Sequence, residues 1–356
     1  MPSIPTHTVD EVDPNAIRIL ITGFGPFWKY KENPSWLAVK PLHNKVIYAD
    51  PTLEAEAQAK PDMDHHMMMV QDERPISAVL GAHIPPPPQD DPMQVDGMED
   101  IDAAPQQIHI TTLEIPVTYQ AVLNIAPGLH ARPPVLPQPE DPAFAIPPPP
   151  PNGYDFMFHI GVAGRGPLRI EKLSHKNSYR MKDAEGQYAP IVVLPKDGAR
   201  EAGEPNQELE MERILGLGIS PAVASHGQNG AEGGNDGVDH PPNRGFGKGY
   251  ENMPEELHTD VDVAKLIHYL KETGLDNVYS SMDAGHYLCD FLFYCSLAEA
   301  KRLASRQEKF KERSSPAKGM PVLFMHVPPV GEPLITEEAT EAIKKIVLWV
   351  CSRLNS

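Results

Sequence analysis

The stretch YDFMFHIGVAG, residues 154–164, is a near-continuous apolar run. A run of this kind belongs to a central strand covered on both faces, which demands layers of helix above and below it. Other segments supply matching strands: IRILIT (17–22, closed by Gly23), residues 45–49, the alternating IHITTLEIPVTY (108–119), LRIEKLSH (168–175), VYSS (278–281) and VLFMHV (322–327). Helical segments fall between them. One begins at Ser35 and ends near Lys40, before Pro41. Another starts at about 259, carries Val261, Leu266, Ile267 and Leu270, and stops at Gly274. A third bears Cys289 and Cys295, and the last is capped by Thr336 with Ala339, Ile343, Ile346 and Val350 as its inward stripe. This alternation predicts an α/β fold, a three-layer α/β/α sandwich around a largely parallel mixed sheet.

Three stretches cannot build a core. Proline numbers 40 in 356 residues, about twice the usual share, and it is unevenly spread. Residues 51–107 contain PPPP at 85–88, residues 132–152 end in five prolines, and residues 196–250 are rich in Gly, Asn, Asp and Glu. Without them roughly 220 residues remain, the size of one domain. The expectation is therefore a single domain over 1–356 with long irregular insertions.

The net charge of −18, from 49 acids against 31 bases, argues against nucleic acid and anionic membranes as partners. No stretch approaches 18 uncharged apolar residues, and the N-terminus lacks the basic and apolar regions of a signal peptide. Cys289, Cys295 and Cys351 are odd in number and confined to the last 70 residues, which suits a reducing cytoplasm and not a disulfide framework. DMDHHMMMV, 62–70, holds Asp62, Asp64, His65 and His66 but offers no defined metal spacing. The expectation is a cytoplasmic protein without a metal or cofactor.

Chemistry concentrates on SSMDAGHYLCDFLFYC, 280–295. A free cysteine usually packs as a small hydrophobe, and both sulfurs here fit that description. Cys289 differs in falling at the start of a helix that follows a strand, where amide donors and the helix dipole would lower a thiol's pKa. Cys351, near the end of the last helix, is assigned to packing or surface. A cysteine nucleophile needs a base and an orienting group. His326 ends an apolar strand, at the carboxyl end where sites gather in such sheets; a histidine satisfied at a strand terminus is the plainer alternative. Glu171 interrupts the alternation of LRIEKL and offers an orienter, or else an outward-facing strand residue.

Taken together, these segments resemble the pyroglutamyl peptidase I (pyrrolidone-carboxylate peptidase) family. ILITGFGPFWKYKENPSWLAVKPL is similar to the family's opening strand, TGF-x-PF loop and Asn-Pro-Ser helix start. FHIGVAGRGPLRIEKL, SSMDAGHYLCDFLFY and VLFMHVP are similar to the segments of the catalytic glutamate, cysteine and histidine, in family order. The resemblance implies a phosphorylase/hydrolase-like fold and a cytoplasmic thiol protease acting on peptides with an N-terminal pyroglutamate. It implies Cys289 as nucleophile, His326 as general acid/base and Glu171 as third member. Phe24 and Phe27 would sandwich the lactam ring and Asn33 would donate to its carbonyl, though two phenylalanines also anchor loops. The family pattern departs after Glu171: in KLSHKNSYRMKD neither Asn177 nor Arg180 falls in register, and no role passes to them. Two further readings stay open: self-association, and a weak or inactive family member that docks partners through its proline-rich insertions.

Overall fold

The computed structural model describes residues 12–49, 105–139, 141–192, 242–310 and 319–354. The stretches expected to be irregular at 51–107 and 196–250 therefore lie largely outside the described residues, as do Asp62, Asp64, His65 and His66.

β1 (Ile17–Phe24) is buried at every position except Arg18 and continues through Gly23. That glycine is not a turn. A Cβ there would come within 2.8 Å of the Trp36 Cα, so its absence lets the first helix approach the strand. This helix, α1 (Pro34–Val39), starts at Pro34 because the Asn33 side chain accepts from the Ser35 amide, and proline suits the first helical position. A 3₁₀ turn, Lys40–Leu42, holds Pro41, and β2 (Lys45–Tyr48) follows.

β3 (Gln107–Ile115) ends at Pro116, four residues short of the expected limit at 119. Thr118 instead caps a helix, α2 (Tyr119–Leu129), by accepting the Ala121 amide at 3.1 Å. Its buried stripe of Tyr119, Val122, Ala126 and Leu129 is short, and Pro127 and Gly128 read as helix breakers in sequence. β4 (Phe156–Val162) is buried throughout, as its apolar run requires.

Residues 168–175 form two strands. β5 (Leu168–Glu171) joins the main sheet, whereas β6 (Leu173–His175) leaves it to pair antiparallel with β7 (Glu256–His258). α3 (Val263–Glu272) is capped by Asp262, and Gly274, with φ of +85°, closes it. β8 (Val278–Ser281), α4 (Leu288–Phe310), β9 (Val322–Val327) and α5 (Thr336–Cys351) complete the chain. Thr336 is the first helical residue of α5 and not its cap: Ile335 holds that place, its amide donating to Glu338.

The seven strands run in the order β2-β3-β1-β4-β9-β5-β8. β3, β1, β4 and β9 are mutually parallel, β2 pairs antiparallel with β3, and β5 pairs antiparallel with β9 while running parallel to β8. Side chains alternate faces along each strand. One face carries Ile19, Phe158, Leu323 and Ile170 against α1, α3 and α5; the other carries Leu20, Met157 and Phe324 against α2 and α4. This is the expected α/β/α sandwich around a mostly parallel mixed sheet. Among the described residues no helix is long and apolar enough to cross a membrane.

Residues 244–250, which composition assigns to an irregular stretch, pack firmly. Gly245 and Arg244 bridge to Asn177 and Ile191, and the Phe246 ring stacks on Phe291 with centroids 4.0 Å apart.

Candidate active site

His326 and Glu171 meet on the face covered by α4. In the antiparallel β5–β9 pair, Arg169 lies opposite His326 and Glu171 opposite Phe324, so period-2 alternation puts Arg169, Glu171, Phe324 and His326 on one side of the sheet. The His326 Nδ1 lies 2.7 Å from the Glu171 Oε1. Both residues are buried, Glu171 completely. A carboxylate only accepts, so Nδ1 carries a proton, and in the neutral ring Nε2 holds the lone pair. The other carboxylate oxygen, Oε2, is buried without a hydrogen-bond partner among the described residues. Glu171 thus has no alternative donor to compete with His326.

Cys289 stands in the first turn of α4, half-buried, over β4. A Cβ placed on Gly161 would lie 2.8 Å from the Cys289 Sγ and 2.8 Å from the Phe324 ring. Gly161 is also the register partner of His326 across the β4–β9 pair. The sulfur therefore sits above a bare backbone position flanked by the histidine's strand. α4 then descends along the sheet, with Ser296 reaching the Met157 sulfur at 3.3 Å two turns later. Its N-terminus consequently lies toward the carboxyl ends of β4 and β9. β8 leads into this helix but runs opposite to β9, so residues 282–287 must turn the chain back. Gly285 and His286, at φ of +99° and +47°, make that reversal.

The helix start does not leave Cys289 acidic. Burial pushes its thiol well above the usual range, the Glu171 and Asp290 charges add to the rise, and Arg169 opposes it. The magnitudes explain why the sequence expectation fails. A helix terminus contributes about 0.3–1 kcal/mol at exposed sites, under one pKa unit, whereas burial shifts a group by up to about 3–5 units. The resting residue is a neutral thiol.

The loop after β1 brings further aromatic surface to the same face. Phe24 is buried in the core shared with Tyr119, Tyr287 and Leu288. Phe27 is half-buried, its ring centroid 5.7 Å from that of Tyr287, two residues before Cys289. Asn33 is buried and already engaged: its Nδ2 donates to the Gly25 carbonyl at 3.1 Å, and its Oδ1 accepts from the Ser35 amide and hydroxyl. It pins the loop to α1 and retains one amide hydrogen at most for a ligand. A cavity of about 420 Å³ borders this loop at Gly25 and Pro26 and extends along Glu114, Thr118 and Glu185.

No family model matches the chain. Over 98 residues it is 30% identical to pyroglutamyl-peptidase 1 of Mus musculus and 32% identical to that of Rattus norvegicus, covering 27% of this chain and 38% of each relative. Over this segment the chain is distantly similar to the pyroglutamyl peptidase I family. The matched segment spans less than half the length of these curated relatives. Similar solved structures include pyroglutamyl peptidase I of Bacillus amyloliquefaciens, at 16% identity and a TM-score of 0.46 over 94% of this chain and 97% of that one. Pyrrolidone carboxyl peptidase of Fervidobacterium islandicum gives 17% and 0.45 over 94% and 98%.

Against the pyroglutamyl peptidase pattern, two residues of the site went unread in sequence. Arg169 is a cation whose charge favours a Cys289 thiolate, and its place two residues before Glu171 on a strand marks its face. Gly161 was legible only as part of an apolar run. The Asn177 side chain is engaged with Glu255, its Nδ2 donating to the carboxylate at 2.5 Å. Cys295 is buried, with the Tyr250 hydroxyl 3.1 Å from its sulfur, and Cys351 is buried in the opposite core.

Proposed function

We propose that the chain is a cysteine omega-peptidase that hydrolyses the amide bond after an N-terminal pyroglutamyl residue. The observation that carries this reading is the buried 2.7 Å pair of His326 and Glu171 on the sheet face beneath the Cys289 helix. Glu171 holds the imidazole with its proton on Nδ1, so Nε2 is the base. Because the resting thiol is neutral, Nε2 takes its proton as the sulfur attacks the pyroglutamyl carbonyl. The C–S bond forms and the carbonyl electron pair moves to oxygen, where first-turn amides of α4, unpaired within the helix, stabilise the charge. When the carbonyl re-forms, the C–N bond breaks and the departing amine receives the proton from Nε2. Water, deprotonated by the same nitrogen, then cleaves the thioester and frees pyroglutamate.

A pyroglutamyl terminus has no free amine, so recognition falls to a neutral planar ring. The half-buried Phe27 offers an apolar face suited to it, with Phe24 buried in the core at the start of the same loop, and Asn33 offers the remaining amide hydrogen for its carbonyl. These peptides are the proposed substrates, and cytoplasm the proposed location. The test is selectivity: a fluorescent amine should be released from its pyroglutamyl amide and not from the prolyl or unblocked glutamyl amide. Equal release from all three would contradict the recognition argued here.

A further inference from the structure

Beside the thiol, on the outer side of the loop that precedes α4, lies a second group of chemically capable side chains. One ligand atom from each of His175, Asp283, His286 and Asp290 falls within 4.8 Å of the others. Asp290 is completely buried and accepts three hydrogen bonds. It accepts the His175 amide at 2.9 Å, the His175 Nδ1 at 2.8 Å and the His286 amide at 3.2 Å. The His175 ring contact sets the tautomer of the neutral ring: with Nδ1–H given to the carboxylate, Nε2 carries the lone pair, the form in which it can bind a metal.

His286 reaches the same state by a different route. Its Nδ1 lies 3.2 Å from the Asn177 carbonyl oxygen, which can only accept. In the neutral ring this leaves the lone pair on Nε2. The two rings lie side by side, tilted, with centroids 4.1 Å apart and planes 34° from parallel. Among the described residues neither Nε2 has a hydrogen-bond partner. Two imidazoles with both Nδ1 atoms facing oxygen acceptors present the arrangement that orients metal-binding histidines. Asp283 completes the set: its Oδ1 takes the Gly285 amide at 2.8 Å, and the carboxylate is exposed to solvent.

We propose that His175 Nε2, His286 Nε2 and the Asp283 carboxylate form a zinc site, with Asp290 orienting His175 from behind. Two imidazoles and one carboxylate leave a fourth, open position for water. The two carboxylates offset the charge of a dication, and the half-buried imidazoles with the exposed Asp283 give it a path from solvent. The ligands come from β6 and from the loop between β8 and Cys289, so a bound ion ties that loop to the small β6–β7 sheet. The site does not depend on the peptidase reading.

The test uses the full chain carrying Cys289→Ala, which removes the half-buried thiol as a competing ligand. Zinc titrated against a chromophoric chelator should bind as a single equivalent at micromolar concentration, and Co²⁺ should give visible d–d bands. Adding His175→Ala, or the milder His286→Gln and Asp283→Asn at less buried positions, should weaken zinc at least tenfold and abolish the bands. The melting temperature without metal checks that each variant is folded. No stoichiometric binding overturns the proposal, and so does binding that survives all three substitutions unchanged, which places the ion elsewhere in the chain.

Discussion

The His326 Nδ1 and the Glu171 Oε1 are 2.7 Å apart, and both side chains are removed from water. Burying a lone carboxylate is costly, and the second Glu171 oxygen finds no partner among the described residues. The pair is an expensive arrangement for a fold to keep without use. Glu171→Ala should lower kcat about 10²–10⁴-fold with little change in KM, since the imidazole would lose its enforced tautomer. Because a buried carboxylate is being removed, Glu171→Gln provides a second variant of the same volume. Its melting temperature separates loss of chemistry from loss of fold.

The neutral resting thiol gives a distinct pH signature. Alkylation of Cys289 by iodoacetamide should be slow at pH 7 and should rise steadily through pH 9, without the low-pH plateau of a preformed thiolate. Arg169 is the group that opposes the rise, so Arg169→Met should shift the profile further to alkaline pH. A rate independent of pH between 6 and 9 would show that the thiolate is already present.

Gly161→Ala should inactivate the chain more than it unfolds it. The added methyl group would lie 2.8 Å from both the Cys289 Sγ and the Phe324 ring, so the sulfur must move away from the strand that faces His326. Displacements on the order of 1 Å from productive geometry cost about a hundredfold in rate. Retained activity with an unchanged alkylation rate would mean that Cys289 is not held there.

Much of this was readable in advance, for physical reasons. Fully buried strands such as β4 and β9 declare themselves as apolar runs, and His326 and Glu171 stand out as polar interruptions of such strands. The helix α2 was lost because Pro127 and Gly128 sit inside its last turns. The acidity of Cys289 was misjudged because a helix start is visible in sequence, whereas the depth at which a sulfur is buried is not. The reversal of β5 and β8 is likewise a property of pairing, which composition does not encode. The His175–His286 pair, 111 positions apart, exists only after β6 folds back against the loop before α4.

Acid should destabilise the fold through two histidines beneath the site. His159 and His130 both place Nε2 2.8 Å from the Ser296 hydroxyl, and burial lowers their pKa values to about 3. The unfolded chain binds these protons near pH 6.5, so below that value it holds more protons than the folded chain. Stability present above pH 6.5 is therefore lost progressively as pH falls toward 3, by roughly 1.4 kcal/mol per pH unit per histidine at most. Urea midpoints measured between pH 7 and 4 should fall accordingly. A flat profile would mean that both rings titrate in the folded chain as they do in the unfolded one.

The most direct measurement is hydrolysis of a pyroglutamyl amide by the wild-type chain and by Cys289→Ala, under reducing conditions, with circular dichroism to confirm that both are folded. The expected result is turnover by wild type, none by the variant, and a transient wild-type adduct with the mass of a pyroglutamyl thioester on Cys289. Turnover that survives Cys289→Ala, or a folded wild type that releases nothing, would contradict the assignment of Cys289 as the nucleophile of a pyroglutamyl peptidase.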